Sequence, residues 1–407
     1  MHVVFIEPNF PTNQREFVRA LREVGATVTG IGERPKESLD GPMREWLHHY
    51  EQVPSVVNDE AVLQVVRWIQ EKVRVDRLEA TVEAHIQAAA RVRALAGIPG
   101  TSERTAFLCR DKPAMKEVLR AGGIPCAASD GVESAEAARE FAATVGYPVI
   151  VKPRAAAGAS GTYRADNAEE LEGVIRTTGL DRGHPAAIEE FIEGHEGFYD
   201  TITINGQVVH EFASHYYPNV LEAMRNRWIS PQFIATNRID SAEGYDEVKE
   251  LGRRVLPILG IETSATHMEW FAGPKGLKFS EIGCRPPGVR AWDLYAAGND
   301  IDIYREWAAA VCLGHPLQRA SRRFSAGIIA LRPEQDGTIS GYSGIESIQR
   351  AFGSWIIDWH LPGEGTPTQP VEAGYMANAW IRMKHPDYDE LRRMLNTVGE
   401  TVKVHAR

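Results

Sequence analysis

Apolar positions recur along the chain in two rhythms. Residues 2–6 form a short, almost wholly apolar run; Phe17, Leu21 and Val24 follow at helical spacing, Gly25 breaks the pattern, and 26–31 is apolar again. This strand–helix–strand order predicts a βαβ start and a parallel sheet. A second amphipathic helix is expected over 61–73, where Val62, Val65, Val66 and Ile69 share a face, and a third over 81–95. No GxGxxG accompanies them, so a dinucleotide is not indicated there. These elements define a first α/β domain at 1–105.

A new helix is expected beyond that point, capped by Asp111, with Pro113 in its first turn, Met115, Val118 and Leu119 facing inward and Gly122-Gly123 ending it. The strand 147–152 ends in Lys152 and runs into a loop of small residues, 155–161. A strand at 187–191 precedes a hairpin of 199–204 with 207–212 about Asn205-Gly206, the dipeptide most suited to a tight two-residue turn. A second hairpin joins 266–271 to 277–282 across Gly273-Pro274-Lys275-Gly276. From 324 onward, short strands (327–331, 355–359, 375–383, 401–404) mix with a helix at 388–395.

The chain has 407 residues, enough for two or three domains, and its 45 Lys+Arg against 55 Asp+Glu give a net charge of −10. An acidic chain without a basic block is poorly suited to nucleic acid. Glu7 interrupts the first apolar run and no basic stretch precedes it, which argues against a secretory signal. The longest apolar stretch, 307–313, is far short of a membrane span and reads as buried helix. Cys109, Cys126, Cys284 and Cys312 are scattered, without a CxxC pair. A reducing, cytoplasmic compartment is expected.

Three features call for one ligand. Lys112 and Lys152 can neutralise phosphates, the 155–161 loop lets backbone N–H groups approach them, and Glu269 and Glu281 on neighbouring hairpin strands suit magnesium, which takes one or two carboxylates plus phosphate oxygens. Each has a plainer reading alone: a solvated strand end, an ordinary turn, the exposed face of a hairpin. The stretch from Ser214 to Arg238, with Arg225, Arg227, Tyr216, Tyr217 and Trp228, is either a pocket for an amino acid or an exposed loop. His267 falls on the Glu269 face of a regular strand and is either a site residue or a hydrogen-bonded structural histidine.

Over about 100–290 the chain resembles the ATP-grasp superfamily, and within it the carboxylate–amine ligases such as the L-amino acid ligases. The resemblance lies in the order of Gly100-Thr101-Ser102, Arg110-Asp111-Lys112, Gly122-Gly123-Ile124-Pro125, Gly146 to Pro153, Glu189 to Glu196 and Glu281-Ile282-Gly283-Cys284-Arg285-Pro286-Pro287-Gly288. It implies a multidomain α/β and α+β fold: a Rossmann-like α/β domain at 1–105, an ATP-grasp region at 106–315 with a mobile lid at 147–200, and a small α+β domain at 316–407. Lys112 and Lys152 would contact the α- and β-phosphates, with Gly158, Ser160 and Gly161 in the loop closing over the triphosphate. Glu189, with backbone groups of Glu190 and Ile192, would read the adenine edge, and Glu196 the ribose hydroxyls. Glu269 and Glu281 would bridge Mg²⁺, or Mn²⁺, and Arg285 and Lys152 would act on the transferred phosphoryl group. Arg225, Arg227, Arg238, His267 and Gly288 are the substrate candidates. Many family members carry a metal-ligating Asn two residues after the second Glu; this chain has Gly283.

The reaction implied is amide or peptide bond formation through an acyl phosphate, with ATP converted to ADP and phosphate. Its partners would be a small carboxylate and an amine, with no nucleic acid or membrane, and a homodimer is compatible. The alternatives are a biotin carboxylase-like or formyl-phosphate-using relative, against which no biotin-attachment motif appears, and a nucleotide-binding protein without catalysis.

Overall fold

The computed structural model describes residues 1–155, 161–371 and 375–407. The first segment forms the parallel sheet expected of it, from β1 (His2–Ile6), β2 (Thr27–Gly32), β3 (His49–Gln52) and β4 (Arg77–Glu79), in the order β3-β2-β1-β4. β1 is buried along its whole length, as befits a central strand covered on both faces. The helices Gln14–Glu23 and Asp59–Gln70 lie between strands, and Ile86–Ala96 follows β4 through a 3₁₀ turn at Glu83–His85.

A second sheet contains β5 (Ser129–Val132), β6 (Val149–Lys152), β7 (Tyr163–Ala165) and β8 (Ala186–Glu190), antiparallel in the order β5-β8-β6-β7. The helices Ala135–Val145 and Ala168–Thr178 close a core of its own, built on Val149, Val151, Leu171, Ile175 and Ile188.

The third sheet is the largest. β9 (His195–Ile204) and β10 (Gln207–Tyr217) form the Asn205-Gly206 hairpin, longer on both sides than the sequence suggests, with φ of 49° and 78° at the turn. β11 (Gln232–Ala235), β12 (Ser264–Gly273), β13 (Gly276–Gly283), β14 (Ser325–Leu331), β16 (Ile356–His360) and β17 (Ala379–His385) complete an eight-stranded sheet, β13-β12-β9-β10-β11-β14-β17-β16. β15 (Ile339–Ser343) pairs with β18 (Lys403–Ala406) apart from it. The carboxy-terminal part thus also extends the sheet of 195–283: β14, buried along its whole length, pairs with β11 and carries β17 and β16 beyond it.

Candidate active site

A cavity of about 710 Å³ is lined from the second and third sheets together. Lys112 enters from the start of the helix Lys112–Ala121, whose N-cap Asp111 accepts from the Ala114 N–H at 3.0 Å and from Arg154 Nε at 3.0 Å. Lys152 enters from the end of β6. Glu189 stands opposite Ile150 in the β6–β8 ladder, so its carboxylate lies diagonal to Lys152 on the same face. It is held at both oxygens, 2.8 Å from Lys116 Nζ and 2.9 Å from Lys152 Nζ. Burial pushes this carboxyl up, yet the two ammonium groups outweigh burial and hold it at about 2. Lys116, fully buried four residues after Lys112, is pulled down by burial against the attraction of Glu189.

Glu269 and Glu281 are direct partners in the β12–β13 ladder. Glu281 lies 3.4 Å from Lys112 Nζ and 3.9 Å from Lys152 Nζ. Burial raises its pKa, but the lysines more than offset this and lower it. Glu196 on β9 shares their face of the sheet and is 5% exposed; its Oε2 accepts from the Val220 N–H at 2.7 Å. Burial first, and then the Glu269 charge, push Glu196 up to about 8. Glu269 and Glu281 therefore offer carboxylate oxygens side by side on one wall of the cavity. Among the described residues no three His, Cys, Asp or Glu close around a metal position. Two carboxylates without a closed cage suit magnesium, which keeps waters and phosphate oxygens as its other ligands.

His267, opposite Asp200 in the β9–β12 ladder, places Nδ1 2.7 Å from Asp200 Oδ1 and Nε2 3.7 Å from Glu269 Oε1. Tyr295 OH donates to the other Asp200 oxygen at 2.5 Å. Burial lowers the imidazole, but Asp200 prevails and raises it to about 9, so His267 is a cation beside Glu269 at neutral pH. His267 is thus a hydrogen-bonded histidine that also lines the cavity.

Lys112, Lys152, Glu189, Glu190, Ile192, Glu196, Arg225, His267, Glu269, Glu281, Arg285 and Gly288 all line the cavity. Gly158 and Ser160 lie outside the described residues; Gly161, at φ +70°, sits against Pro153 and is not among the lining residues. Arg227 and Arg238 correct the reading of 214–238 as one pocket wall. Arg227 pairs with Asp336 at 2.5 Å. Arg238 lies past the end of β11, where its guanidinium meets Asp389 at 2.8 Å in a separate hollow with Asp387 and Arg322. Alternation along β10 sends Tyr216 to the cavity and Tyr217 to the opposite face, where it meets Tyr388 OH at 2.8 Å; Trp228 is 84% exposed. Sequence reading missed Lys116, whose signal was its i,i+4 spacing from Lys112, and Tyr375, which reaches the cavity from the carboxy-terminal part of the chain and donates to Gln232 O at 2.6 Å.

Residues 111–196 match the family described as carbamoyl-phosphate synthase L chain, ATP binding domain. An L-arginine-specific L-amino acid ligase of Bacillus subtilis is 25% identical over 348 residues, covering 81% of this chain and 80% of that one. The fold matches the L-amino acid ligase of Bacillus licheniformis with a TM-score of 0.76 at 17% identity, over 100% of this chain and 98% of the other. The chain thus carries an ATP-grasp ATP-binding region, has the fold of the L-amino acid ligases, and is similar to one of them over most of its length. A biotin carboxylase domain of the Hydrogenobacter thermophilus 2-oxoglutarate carboxylase, solved with MgADP, shares this ATP-grasp fold at a TM-score of 0.69 and 20% identity, over 99% of this chain and 90% of that one. Among the described residues no helix is long and apolar enough to cross a membrane.

Proposed function

We propose that this ligase joins two amino acids, or an amino acid to another small acid, through an acyl phosphate made from ATP. One observation carries the reading: Lys112, Lys152, Glu269, Glu281 and Arg285, far apart in the chain, line a single cavity. The likeness to an L-amino acid ligase over most of both chains supports the choice of amino acids.

Lys112 and Lys152 would neutralise the α- and β-phosphates. Glu189 and the backbone at Glu190 and Ile192 supply the acceptors and donors that an adenine edge needs, and Glu196 can accept from two ribose hydroxyls. Glu189 already holds Lys116 and Lys152, so it also keeps Lys152 aimed at the phosphates. Glu269 and Glu281 would hold Mg²⁺, or Mn²⁺, which when bound screens the phosphate oxygens against the incoming carboxylate. Arg285 is placed at the same wall to balance charge on the phosphoryl group and then on the acyl phosphate. Arg225, which lines the cavity, would offer two parallel donors to a substrate carboxylate, with Gly288 a further lining residue on the substrate side and His267 keeping Glu269 in place. The amine attacks the acyl carbon, phosphate leaves, and no side-chain nucleophile is required.

The test is a phosphate-release screen over pairs of amino acids and other small acids, with mass analysis of products. ADP, phosphate and a condensed product should form in equal amounts. AMP and pyrophosphate in stoichiometric yield would overturn the acyl-phosphate route.

A further inference from the structure

Arg285 is tethered on two sides. Its Nε donates to Glu83 Oε2 at 2.8 Å, and its Nη1 donates to the Pro286 carbonyl at 2.8 Å. A guanidinium has five N–H donors in a rigid plane, so these two bonds fix its orientation while leaving donors for the cavity that Arg285 lines. Glu83 belongs to the 3₁₀ turn after β4, in the first domain. Its own carbonyl accepts from Arg110 Nη1 at 2.8 Å, so the backbone at Glu83 is anchored to the segment that precedes Lys112 while its side chain holds Arg285. The side chains of the pair are 27% and 15% exposed, so the contact is sheltered and not a solvated surface pair.

Gly283 supplies the space. A Cβ at this position would stand 3.3 Å from Glu83 Oε2 and 3.5 Å from Arg285 Cγ and Nε, closer than the carboxylate tolerates without moving. The glycine that replaces the expected Asn and the carboxylate that arrives from the first domain are therefore two halves of one arrangement.

We propose that Glu83 is a positioning residue for the ligase reaction: through the room left by Gly283 it fixes the Arg285 guanidinium from the first domain. The inference rests on placing Arg285 at the transferred phosphoryl group, as proposed above. Glu83 is not among the residues that line the cavity; it sets the angle at which Arg285 faces it. A misplaced charge-stabilising group costs on the order of 10–100-fold in rate while leaving the binding of the remainder of the nucleotide intact.

The experiment compares Glu83→Ala, Glu83→Gln, Gly283→Asn, the Glu83→Ala/Gly283→Asn double variant and Arg285→Ala in steady-state assays on the full chain, with melting temperatures recorded for each. Glu83→Ala should lower kcat on the order of 10–100-fold with KM for ATP changed less than about twofold. Glu83→Gln, which keeps an acceptor for Nε, should recover part of that loss. Gly283→Asn should lower kcat alone but add little in the Glu83→Ala background, because both act on one contact. If Glu83→Ala does not fold, Glu83→Gln and Gly283→Asn carry the same test. Normal kcat in the Glu83 variants beside a crippled Arg285→Ala overturns the inference and leaves the reading of the site standing. An unimpaired Arg285→Ala overturns the reading of the site itself.

Discussion

At the scale of single residues, two substitutions separate metal from phosphate contacts. Glu281→Gln keeps the shape of the side chain but replaces a charged oxygen ligand with a neutral amide, so the protein should fold and lose on the order of 100-fold or more in kcat. Lys152→Met should raise KM for ATP as well, and should also lower the melting temperature, because Glu189 is left with Lys116 alone. Near wild-type rates in both would put the active site elsewhere. A third residue tests acid sensitivity away from the cavity. His215 is held between His195 at 2.9 Å and Tyr245 OH at 2.6 Å, and burial, then the neighbouring His195, pull it down to about 3. In the unfolded chain its pKa is about 6.5, so between those values the unfolded state binds a proton that the folded state refuses. Stability contributed by neutral His215 is thus fully present above about pH 6.5 and lost as the pH falls toward 3. The melting-temperature gap between wild type and His215→Leu should narrow from pH 7.5 to pH 5; a constant gap would show that His215 does not titrate in this way.

At the scale of elements, what local chemistry specifies was legible and what distant partners specify was not. Asn205-Gly206 marks its hairpin because a two-residue turn needs the positive φ values that those residues adopt cheaply, and Gly276, at φ 79°, closes the turn of the other. Asp111 and Pro113 mark the helix that carries Lys112 for a similarly local reason. Arg227 and Arg238 were misplaced because their carboxylate partners, Asp336 and Asp389, lie more than a hundred positions away in the chain. The helix Tyr245–Leu259 was not anticipated; Gly252 and Pro257 interrupt its pattern, and only packing explains the glycine. A Cβ at 252 would stand 2.4 Å from Tyr199 Cε1, a ring buried beneath the helix. Gly252→Ala improves helix propensity but overpacks this contact, so it should destabilise by about 1–3 kcal/mol where an exposed Gly→Ala change would stabilise. Denaturant titration reads the sign directly.

For the molecule as a whole, the boundary near 105 was read from the end of the βαβ pattern, yet the first domain is not a detachable module. Phe17, from the first helix, packs its ring 5.3 Å from Trp292, 5.0 Å from Tyr304 and 5.1 Å from Trp307, centroid to centroid, and all four side chains lie in one core cluster with Phe198 of β9. Helical periodicity alone could place Phe17 on an inward face but could not say that the face belongs to residues 291–312. Glu83 and Arg285 also meet between the first domain and the remainder of the chain, so loosening the aromatic contact should reach the site without touching any residue there. Phe17→Ala removes a fully buried ring and leaves a cavity among three others, a loss of about 3–5 kcal/mol. If the two parts form one cooperative unit, this variant should still unfold in a single transition at lower temperature, and its kcat should fall more than its KM for ATP rises. If instead the first domain melts alone, calorimetry will resolve two transitions, the earlier one shifted by Phe17→Ala and the later one unmoved, and the coupling of the domains through this aromatic contact would be refuted.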